Sequence, residues 1–519
     1  MNRRTRREFF ADVGRGMLVA SVGYGTALDM GLSPAWADEV PAALSFASLE
    51  PLVCLMQETP VGRLLPLVVE RLRQGTELRR IVAAAALANA RTFGGEDYVG
   101  FHTLMALAPA YRMAQELPEA RRPLPVLKVL YRNTNRIQEA GGRKAEVLHA
   151  VQPLAPPAGR PGGEVLRDAV RRQDVEGAER TFAALSQGSP AEAFNHLLIA
   201  VEDSTEVHRV VLPYRAWCLL DLTGEEYAHT LLRQSVRYCV KSETPRYVER
   251  LGGTRTLLPK LFDQYRLASR SLGTTPAEDS WIADTGRTIF QSTADQAAEA
   301  AAAALAEGMS PDAVGEAISL AANQLVLRDA GRRPNEVRPG KPVGSVHGDS
   351  IGVHACDSAN AWRNIARVAD SRNTFASLIL GAYQVAFDRT ERGGDFLNWQ
   401  PYPDGETLAK LKAVELEALL GEAEGAIREN NQARACAAIQ RYGELGHPPR
   451  RVFDLLLRYA TSEDGALHAE KYYRTVSEEF ASTRPAFRWR QLVALARVTA
   501  SECGQPAPGY AEACDLLKV

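Results

Sequence analysis

The sequence of 519 residues lacks the features that would assign it to several common classes. Its 61 Lys and Arg residues are balanced by 63 Asp and Glu residues, so it has no basic excess and nucleic acid is not an expected partner. None of its seven cysteines forms a C-x-x-C pair, which excludes a zinc ribbon and a C-x-x-C-H haem attachment. The H-E-x-x-H, phosphate-loop and EF-hand patterns are also absent. Any chemistry must therefore come from scattered residues.

Runs of alternating apolar and polar residues, which are typical of β-strands, are missing as well. Apolar residues recur instead with the period of 3.6 that indicates amphipathic helices. This pattern predicts two helices between Pro60 and Arg91 that are split at Gly75, and further helices over Tyr98–Leu117 and Ala294–Ala306. Ser310-Pro311-Asp312 is predicted to start the next helix. The sequence therefore predicts an all-α fold, with helical hairpins arranged as a repeat-like array or a multi-helix bundle.

Stretches rich in Pro and Gly divide this helical chain. Residues 152–163 and 331–345 contain too many helix breakers to lie inside helices, and a weaker break occurs at 398–405. These breaks predict helical units over residues 38–151, 164–330, 346–398 and 405–519, the third of which contains a histidine-rich cluster.

Two of the predicted units contain an internal repeat. Phe194 corresponds to Phe453 and Tyr214 to Tyr473, both at a separation of 259 residues, and His208 falls within one residue of the position that corresponds to His468. Stacked helical pairs bury a core that a single pair cannot form alone. The repeat therefore favours a repeat-like arrangement of helices.

The first 37 residues are typical of an export signal. Thr5-Arg6-Arg7-Glu8-Phe9-Phe10 resembles a twin-arginine signal, and a weakly apolar region follows that Asp29 and several glycines interrupt. Ala35-Trp36-Ala37 then matches an A-x-A cleavage site, which predicts a mature chain that begins at Asp38. The expected partner is the export machinery and the expected location is periplasmic or extracellular. The processed protein is not expected to be an integral membrane protein, because the apolar region makes a poor membrane span.

Resemblance to the twin-arginine class has a physical consequence. That route carries proteins that are already folded, often because a cofactor has been inserted before export. The cofactor itself is unknown from the sequence. A transition metal is one candidate, and some proteins without a cofactor use the same route.

The densest cluster of polar residues lies at 345–364, in the sequence SVHGDSIGVHACDSANAWRN. His347 and His354 flank a glycine-containing turn, and Asp349 or Ser350 is placed to cap the helix that follows. Asp357 lies one helical turn after His354 and could fix the tautomer of its imidazole. The prediction is that His354 and Asp357 are catalytic; the alternative is a hydrogen-bonded helix start with no function.

Other histidines next to apolar helices extend this predicted site. His196, His208, His347 and His354 are the predicted metal ligands, and His102, Asn360 and Trp362 are predicted to contact a substrate. Asp203 lies two helical turns after His196 and could share a metal with it, but a role as the cap of the next helix is the stronger interpretation.

The same segment contains Gly348-Asp349-Ser350-Ile351-Gly352, which matches the G-x-S-x-G pattern of serine hydrolases. In those enzymes the serine lies between a strand and a helix. The residues before Gly348 make a poor strand, so a nucleophilic Ser350 is the least favoured interpretation.

Two segments carry a family resemblance. Phe194-Asn195-His196-Leu197-Leu198, and Val353-His354-Ala355 through Asn360-Ala361-Trp362-Arg363, resemble parts of the questin oxidase-like family, within residues 190–385. The resemblance implies a helical protein with several scattered histidines that oxidises an aromatic or polycyclic small molecule. The export signal is not a general feature of that family.

Three functions remain open at this point. The first is an exported oxidoreductase that acts on a small organic molecule at a histidine-lined, metal-dependent site. The second is a non-catalytic helical repeat scaffold that binds a protein or other partner. The third is a serine hydrolase. Convergence of the histidines in one pocket favours the first, their dispersal along a groove favours the second, and a strand that leads into Ser350 favours the third.

Overall fold

A computed structural model describes residues 42–391 and 393–519. In this part of the chain there is no strand or sheet, and the backbone forms helices joined by connections of varied length, with four isolated β-bridges. The predicted all-α fold is therefore confirmed. No helix within the described ranges is both long enough and apolar enough to cross a membrane. The predicted export signal lies outside the described residues.

The helices follow one another closely. In chain order the first of them are α1 (Glu50–Glu58), α2 (Val61–Arg73), α3 (Leu78–Phe93), α4 (Tyr98–Glu116), α5 (Leu124–Glu139), α6 (Gly162–Arg171), α7 (Val175–Leu185), α8 (Pro190–Val201), α9 (Val207–Thr223), α10 (Ala228–Ser242), α11 (Pro245–Leu251) and α12 (Thr254–Tyr265). The remaining helices are α13 (Asp279–Gln291), α14 (Ala294–Ala306), α15 (Pro311–Arg328), α16 (Ile351–Val368), α17 (Ser371–Glu391), α18 (Gly405–Lys410), α19 (Leu416–Arg428), α20 (Gln432–Glu444), α21 (Pro449–Ser462), α22 (His468–Ser482), α23 (Trp489–Glu502) and α24 (Tyr510–Leu517).

Helix ends lie where the sequence places caps. Gly94 ends α3 in the left-handed conformation, which glycine adopts without strain. The Ser310 side chain accepts a hydrogen bond from the backbone of Ala313 and Pro311 occupies the first helical position, so α15 begins as predicted. The break at Gly75 and the bounds of α14 also agree with the prediction.

The chain forms two units. The first contains the described residues up to Tyr111 together with Val129–Asp203 and Leu212–Arg250, and the second contains Arg112–Lys128, Ser204–Val211 and Leu251–Val519. In the first unit α10 packs on α3, α7 and α8. In the second unit α16 packs on α15, α17 and α22, and α23 packs on α20 and α22. The four helical units proposed from the sequence stay a prediction.

The sequence repeat has a structural counterpart in the turn between its first two helices. Gln173, which follows α6, and Asn430, which follows α19, both have positive φ angles, of 57° and 54°. The next residue caps the following helix in both cases: Asp174 accepts from the backbone of Gly177, and Asn431 accepts from the backbone of Arg434. These matched turns lie 257 residues apart, so the two segments share local geometry as well as sequence.

Candidate functional site

His354 lies in the first turn of α16, a buried helix of the second unit. Ser350 is the N-cap of this helix, and its hydroxyl accepts a hydrogen bond from the backbone of Val353. The cap fixes where α16 begins and therefore where the imidazole of His354 is placed. Only 9% of His354 is exposed.

His468 lies at the start of α22, which follows a tight turn. Ala466 and Leu467 both have positive φ angles, of 47° and 68°, which are unusual for residues with a side chain. This turn places the Ala466 carbonyl 3.1 Å from Nδ1 of His468. Because a carbonyl only accepts hydrogen bonds, Nδ1 of His468 must carry a proton and donate it.

The imidazoles of His354 and His468 contact each other directly. Their Nε2 atoms are 3.3 Å apart. When His468 is neutral its proton is on Nδ1, so its Nε2 is an acceptor and Nε2–H of His354 is the donor. The two buried rings therefore form a hydrogen-bonded pair in which one proton lies between two imidazole nitrogens.

His208 extends this pair to a row of three imidazoles. Its ring centre is 6.0 Å from that of His354, with the rings nearly perpendicular, and the centres of His354 and His468 are 5.4 Å apart. Nδ1 of His208 is 2.6 Å from Oε1 of Glu206, so it donates to the carboxylate. The second oxygen of Glu206 accepts from the backbone of His208 and Arg209, so this residue also caps α9. We call His208, His354 and His468 the histidine row.

A small cavity adjoins one end of the histidine row. Its volume is about 20 Å³, enough for one water molecule, and His468, Tyr472 and Glu502 contribute to its lining. Gly348 also lines it: a Cβ there would lie only 2.1 Å from Cβ of His468. A glycine is thus needed for the loop before α16 to approach His468, and its backbone N–H donates to Oε1 of Glu502 over 2.8 Å.

His347 and Glu502 form a second buried pair beside this cavity, with Nδ1 and Oε1 separated by 3.7 Å. Burial raises the pKa of Glu502 to about 7, although the Gly348 N–H and the charges of Lys341 and Lys128 oppose the rise. Burial also lowers the pKa of His347 to about 4, and the charge of Lys341 lowers it further. Both groups are therefore held mainly in their neutral forms at pH 5 to 6.

Asp349 anchors the loop that carries His347. Its carboxylate accepts from Arg332 over 2.6 Å and from Lys341 over 2.8 Å. Burial on its own would raise the pKa of Asp349, but the hydrogen bonds and charges of Lys341 and Arg332 outweigh burial and lower the pKa to about 2. The loop is therefore anchored by a charged group throughout the pH range in which His347 and Glu502 titrate.

Replacing Glu502 or His347 is expected to change the pH dependence of stability in opposite directions. The folded pKa of Glu502 lies above its ordinary value of 4.5, so its contribution to stability falls as pH rises from 4.5 to 7. The folded pKa of His347 lies below 6.5, so its contribution rises between pH 4 and 6.5. Relative to the wild type, the unfolding free energy of Glu502→Gln should increase by about 2 kcal/mol as pH rises from 4.5 to 7. The unfolding free energy of His347→Gln should decrease by about 2 kcal/mol relative to the wild type as pH rises from 4 to 6.5.

Urea unfolding of the wild type and both variants at pH 4.5, 5.5, 6.5 and 7.5 measures these differences. Asp454→Asn, which replaces an exposed carboxylate on α21, serves as a control that should follow the wild-type curve. Parallel curves for all four proteins would show that His347 and Glu502 titrate as they do in the unfolded chain.

A ladder of buried polar pairs continues from the histidine row along α16 and α22. Thr475 donates to Asp357 over 2.7 Å, and Asn360 donates to Glu479 over 2.9 Å. Arg363 pairs with the same Glu479 over 2.6 Å, with both side chains no more than 3% exposed. These residues hold the two helices in register, which fixes His354 opposite His468.

The residues predicted from 345–364 therefore have different environments. His354 belongs to the histidine row, whereas Asp357 and Asn360 form hydrogen bonds with Thr475 and Glu479 of α22. Nε1 of Trp362 donates to Gln384 of α17 over 2.8 Å, and the ring is only 2% exposed. These hydrogen bonds of Asp357, Asn360 and Trp362 hold helices together, and the predicted catalytic and substrate-binding roles of the three residues stay predictions.

The remaining predicted histidines belong to the first unit. His102 is buried on α4, where Nδ1 donates to the Tyr98 carbonyl over 2.7 Å and the ring packs against Phe101. His196 is half-buried on α8. Asp203 accepts two hydrogen bonds of 2.6 Å from Arg171. Neither His102 nor His196 is part of the histidine row.

The set of metal ligands predicted from the sequence is not assembled. Within residues 42–391 and 393–519, no three His, Cys, Asp or Glu side chains are arranged to hold one metal ion. Of His196, His208, His347 and His354, only His208 and His354 have their rings in direct contact.

The hydrolase interpretation lacks its structural context. Ser350 follows an irregular loop, no strand precedes it in the part of the chain that the structure describes, and its hydroxyl caps α16. The G-x-S-x-G match is therefore a helix cap with glycines on either side. Gly352 allows α16 to approach α15, since a Cβ there would lie 2.6 Å from the backbone nitrogen of Val326.

Sequence reasoning missed three residues of this site. The sequence marks His468 only as the repeat counterpart of His208, and Glu206 only as the last residue of the capping pattern Asp203-Ser204-Thr205-Glu206. Glu502 had no pattern to mark it. The repeat was the one indication available: residues that correspond in two copies, such as His208 and His468, could have been proposed as partners.

The comparisons with known proteins leave the chain without a family. No family model matches it, and the searches of curated proteins and of solved structures also give no match. The resemblance to the questin oxidase-like family therefore stays a prediction from residues 190–385, and any function must be argued from the geometry described above.

Proposed function

We propose that the second unit is an acid–base site that acts on a small organic molecule, with the histidine row as its proton-transferring element. The observation that carries this proposal is the 3.3 Å contact between the Nε2 atoms of two buried histidines. Two imidazoles titrate near neutral pH, so a pair of them can accept or release a proton with little change in energy.

His208 is the proposed point at which the row meets the molecule. Glu206 fixes its tautomer by accepting from Nδ1, which leaves Nε2 of the neutral ring as a base. A proton taken up by Nε2 of His208 would be shared with the adjacent His354–His468 pair, whose rings contact that of His208. Because the cavity holds about one water molecule, we place the organic molecule at the His208 end of the row.

Oxidation is the reaction class proposed for this site, because the questin oxidase-like resemblance implies it. Oxidation of an organic molecule releases protons together with electrons. The histidine row takes up the protons, and a diffusible two-electron acceptor that binds beside the organic molecule takes up the electrons.

Replacing His354 with Ala is expected to change how His468 titrates. In the wild type the two rings share a proton, so His468 should titrate in two steps that are separated by about one pH unit or more. In His354→Ala the partner is absent and His468 should titrate in one step. Long-range ¹H–¹⁵N NMR spectra of protein labelled with ¹⁵N-histidine, recorded from pH 4 to 9, measure this difference.

His196→Ala is the matched control, because it removes a half-buried histidine of the first unit. Circular dichroism must first show that both variants remain folded. If His468 titrates identically in the wild type and in His354→Ala, the histidine row does not share protons. The scaffold interpretation, which the structural repeat also supports, would then be preferred.

A metal-bound pair is a second candidate that the same distance favours. Two nitrogen ligands of a tetrahedral Zn²⁺ ion lie about 3.4 Å apart, given metal–nitrogen distances of about 2.05 Å. The Nε2 atoms of His354 and His468 have this spacing. A third protein ligand is not in place among the described residues, so solvent or the organic molecule would have to complete the site. Elemental analysis of protein purified after native export distinguishes this candidate from the acid–base site.

A further inference from the structure

A larger cavity lies elsewhere in the second unit and shares no lining residue with the histidine row. Its volume is about 520 Å³, within the range of pockets that bind small molecules. Helices α13, α15, α20 and α23 contribute to its lining, together with the segment 401–403 that connects α17 to α18. Any ligand of this cavity is therefore held by helices that are far apart in sequence.

The charged residues in the lining of this cavity are all of one sign. Arg287, Arg328 and Arg490 contribute to the lining, and no Asp or Glu does. Arg287 already has an acidic partner, because it pairs with Asp284 over 2.9 Å. Both side chains of this pair are exposed. The positive charge that remains for a ligand comes from Arg328 and Arg490.

Arg328 and Arg490 have neutral partners only. Nε of Arg328 donates to Gln324 over 3.1 Å, and Nη1 donates to the Trp399 carbonyl over 2.7 Å. The guanidinium of Arg490 lies 5.4 Å from the ring centre of Phe487. Neither residue has a carboxylate within ion-pair distance in the described ranges. The surrounding protein also displaces water from both groups, which lowers the pKa of each arginine.

Aromatic rings provide an apolar surface in the same cavity. Phe290 and Tyr402 both contribute to the lining, and the guanidinium of Arg328 lies 5.5 Å from the ring centre of Phe290. The guanidinium of Arg497 stacks on Tyr402, 4.3 Å from its ring centre. The backbone N–H of Tyr402 also donates to the Leu327 carbonyl over 2.8 Å. Both rings are therefore held in place before any ligand binds.

We propose that this cavity binds a small organic oxyanion, a carboxylate or a phosphate ester attached to an aromatic body. The planar guanidinium groups of Arg328 and Arg490 match the oxygens of such an anion, and they gain the charged partner that the protein itself does not supply. The rings of Phe290 and Tyr402 receive the apolar part of the molecule. This site is independent of the histidine row and does not rest on the function proposed for it.

Isothermal titration calorimetry of the full chain with four probes tests this proposal. Benzoate and phenyl phosphate contain both the ring and the anion, benzyl alcohol contains the ring alone, and inorganic phosphate is the anion alone. We expect at least one of the first two to bind, with affinity that falls as salt is added, and at least about tenfold tighter than benzyl alcohol and inorganic phosphate. The stronger of the two identifies the anion as carboxylate or phosphate.

Arg490→Gln should weaken binding of the preferred probe by at least about tenfold, since it removes a guanidinium that lines the cavity and has no acidic partner. Arg287→Gln is the matched control: it removes an arginine from the same cavity that Asp284 already neutralises, and it should change the affinity by less than about threefold. Arg328→Gln is the second test, provided that its melting temperature stays close to that of the wild type.

Absence of binding for every probe at concentrations up to about 10 mM, which would reveal a Kd of that order or any tighter binding, would overturn the proposal. Equal effects of Arg490→Gln and Arg287→Gln on affinity would also overturn it, because Arg287 has an acidic partner in Asp284 and Arg490 has none. Equal affinities of inorganic phosphate and phenyl phosphate would overturn the proposal that Phe290 and Tyr402 bind an aromatic group.

Discussion

Replacing Lys128 with Met is expected to lower the free energy of unfolding by about 4 kcal/mol. Nζ of Lys128 is 2.7 Å from Oε1 of Glu470, and both side chains are no more than 1% exposed. Nζ also donates to the carbonyls of Ala460 and Glu463, over 2.9 Å and 2.5 Å. Removing the ammonium group leaves a buried carboxylate without its counter-charge and two carbonyls without a donor. Urea unfolding followed by circular dichroism measures the loss.

The double variant Lys128→Met with Glu470→Leu separates the charge from the packing. It removes both buried charges together, so most of the lost stability should return, because a buried ion pair replaced by apolar side chains is often close to neutral. Lys410→Met is the matched control, since Lys410 and Glu406 form an exposed pair one helical turn apart and such pairs contribute little. If Lys128→Met costs no more than Lys410→Met, the buried pair does not stabilise the second unit.

The helices were predictable because each depends on local sequence. Apolar periodicity placed α2, α3 and α14, and the Ser310-Pro311 pair placed the start of α15, all within a few residues of the structure. Such patterns need no knowledge of distant contacts. The packing of the helices was not predictable in the same way, because Lys128 and Glu470 are separated by 342 residues and nothing near either one specifies its partner.

The candidate site was predictable only in part, for the same reason. A polar segment that contains two histidines indicated the start of α16, and His354 does belong to the histidine row. Its partner His468 comes from α22, which the ladder of Asp357, Asn360 and Arg363 aligns with α16. Sequence spacing along one helix predicts that Asp357 orients His354, and this stays a prediction. The hydrogen bond that Thr475 of α22 donates to the same carboxylate could not be predicted, because no pattern within α16 indicates which helix packs against it.

Replacing Gly352 with Ala is expected to destabilise the protein by about 3 kcal/mol. Gly352 lies in the first turn of α16, where a Cβ would lie 2.6 Å from the backbone nitrogen of Val326 and 2.8 Å from the carbonyl carbon of Leu325. Backbone atoms of α15 cannot move aside as a side chain can, so the start of α16 must shift away. Since His354 follows two residues later, its contact with His468 should lengthen too. Urea unfolding and the ¹⁵N-histidine spectra measure the two effects.

Gly421→Ala is the matched control for this prediction. Gly421 lies inside α19 and is exposed, and a Cβ there would meet no atom within 4 Å. Alanine favours a helix by up to about 1 kcal/mol over glycine, so Gly421→Ala should stabilise the protein slightly and leave the histidine signals unchanged. The same helix preference acts at Gly352, so the contrast between the two variants isolates the close approach of α15 and α16. If Gly352→Ala is as stable as Gly421→Ala, α16 has room for a side chain at that position. The placement of His354 would then depend on the Ser350 cap and the polar ladder alone.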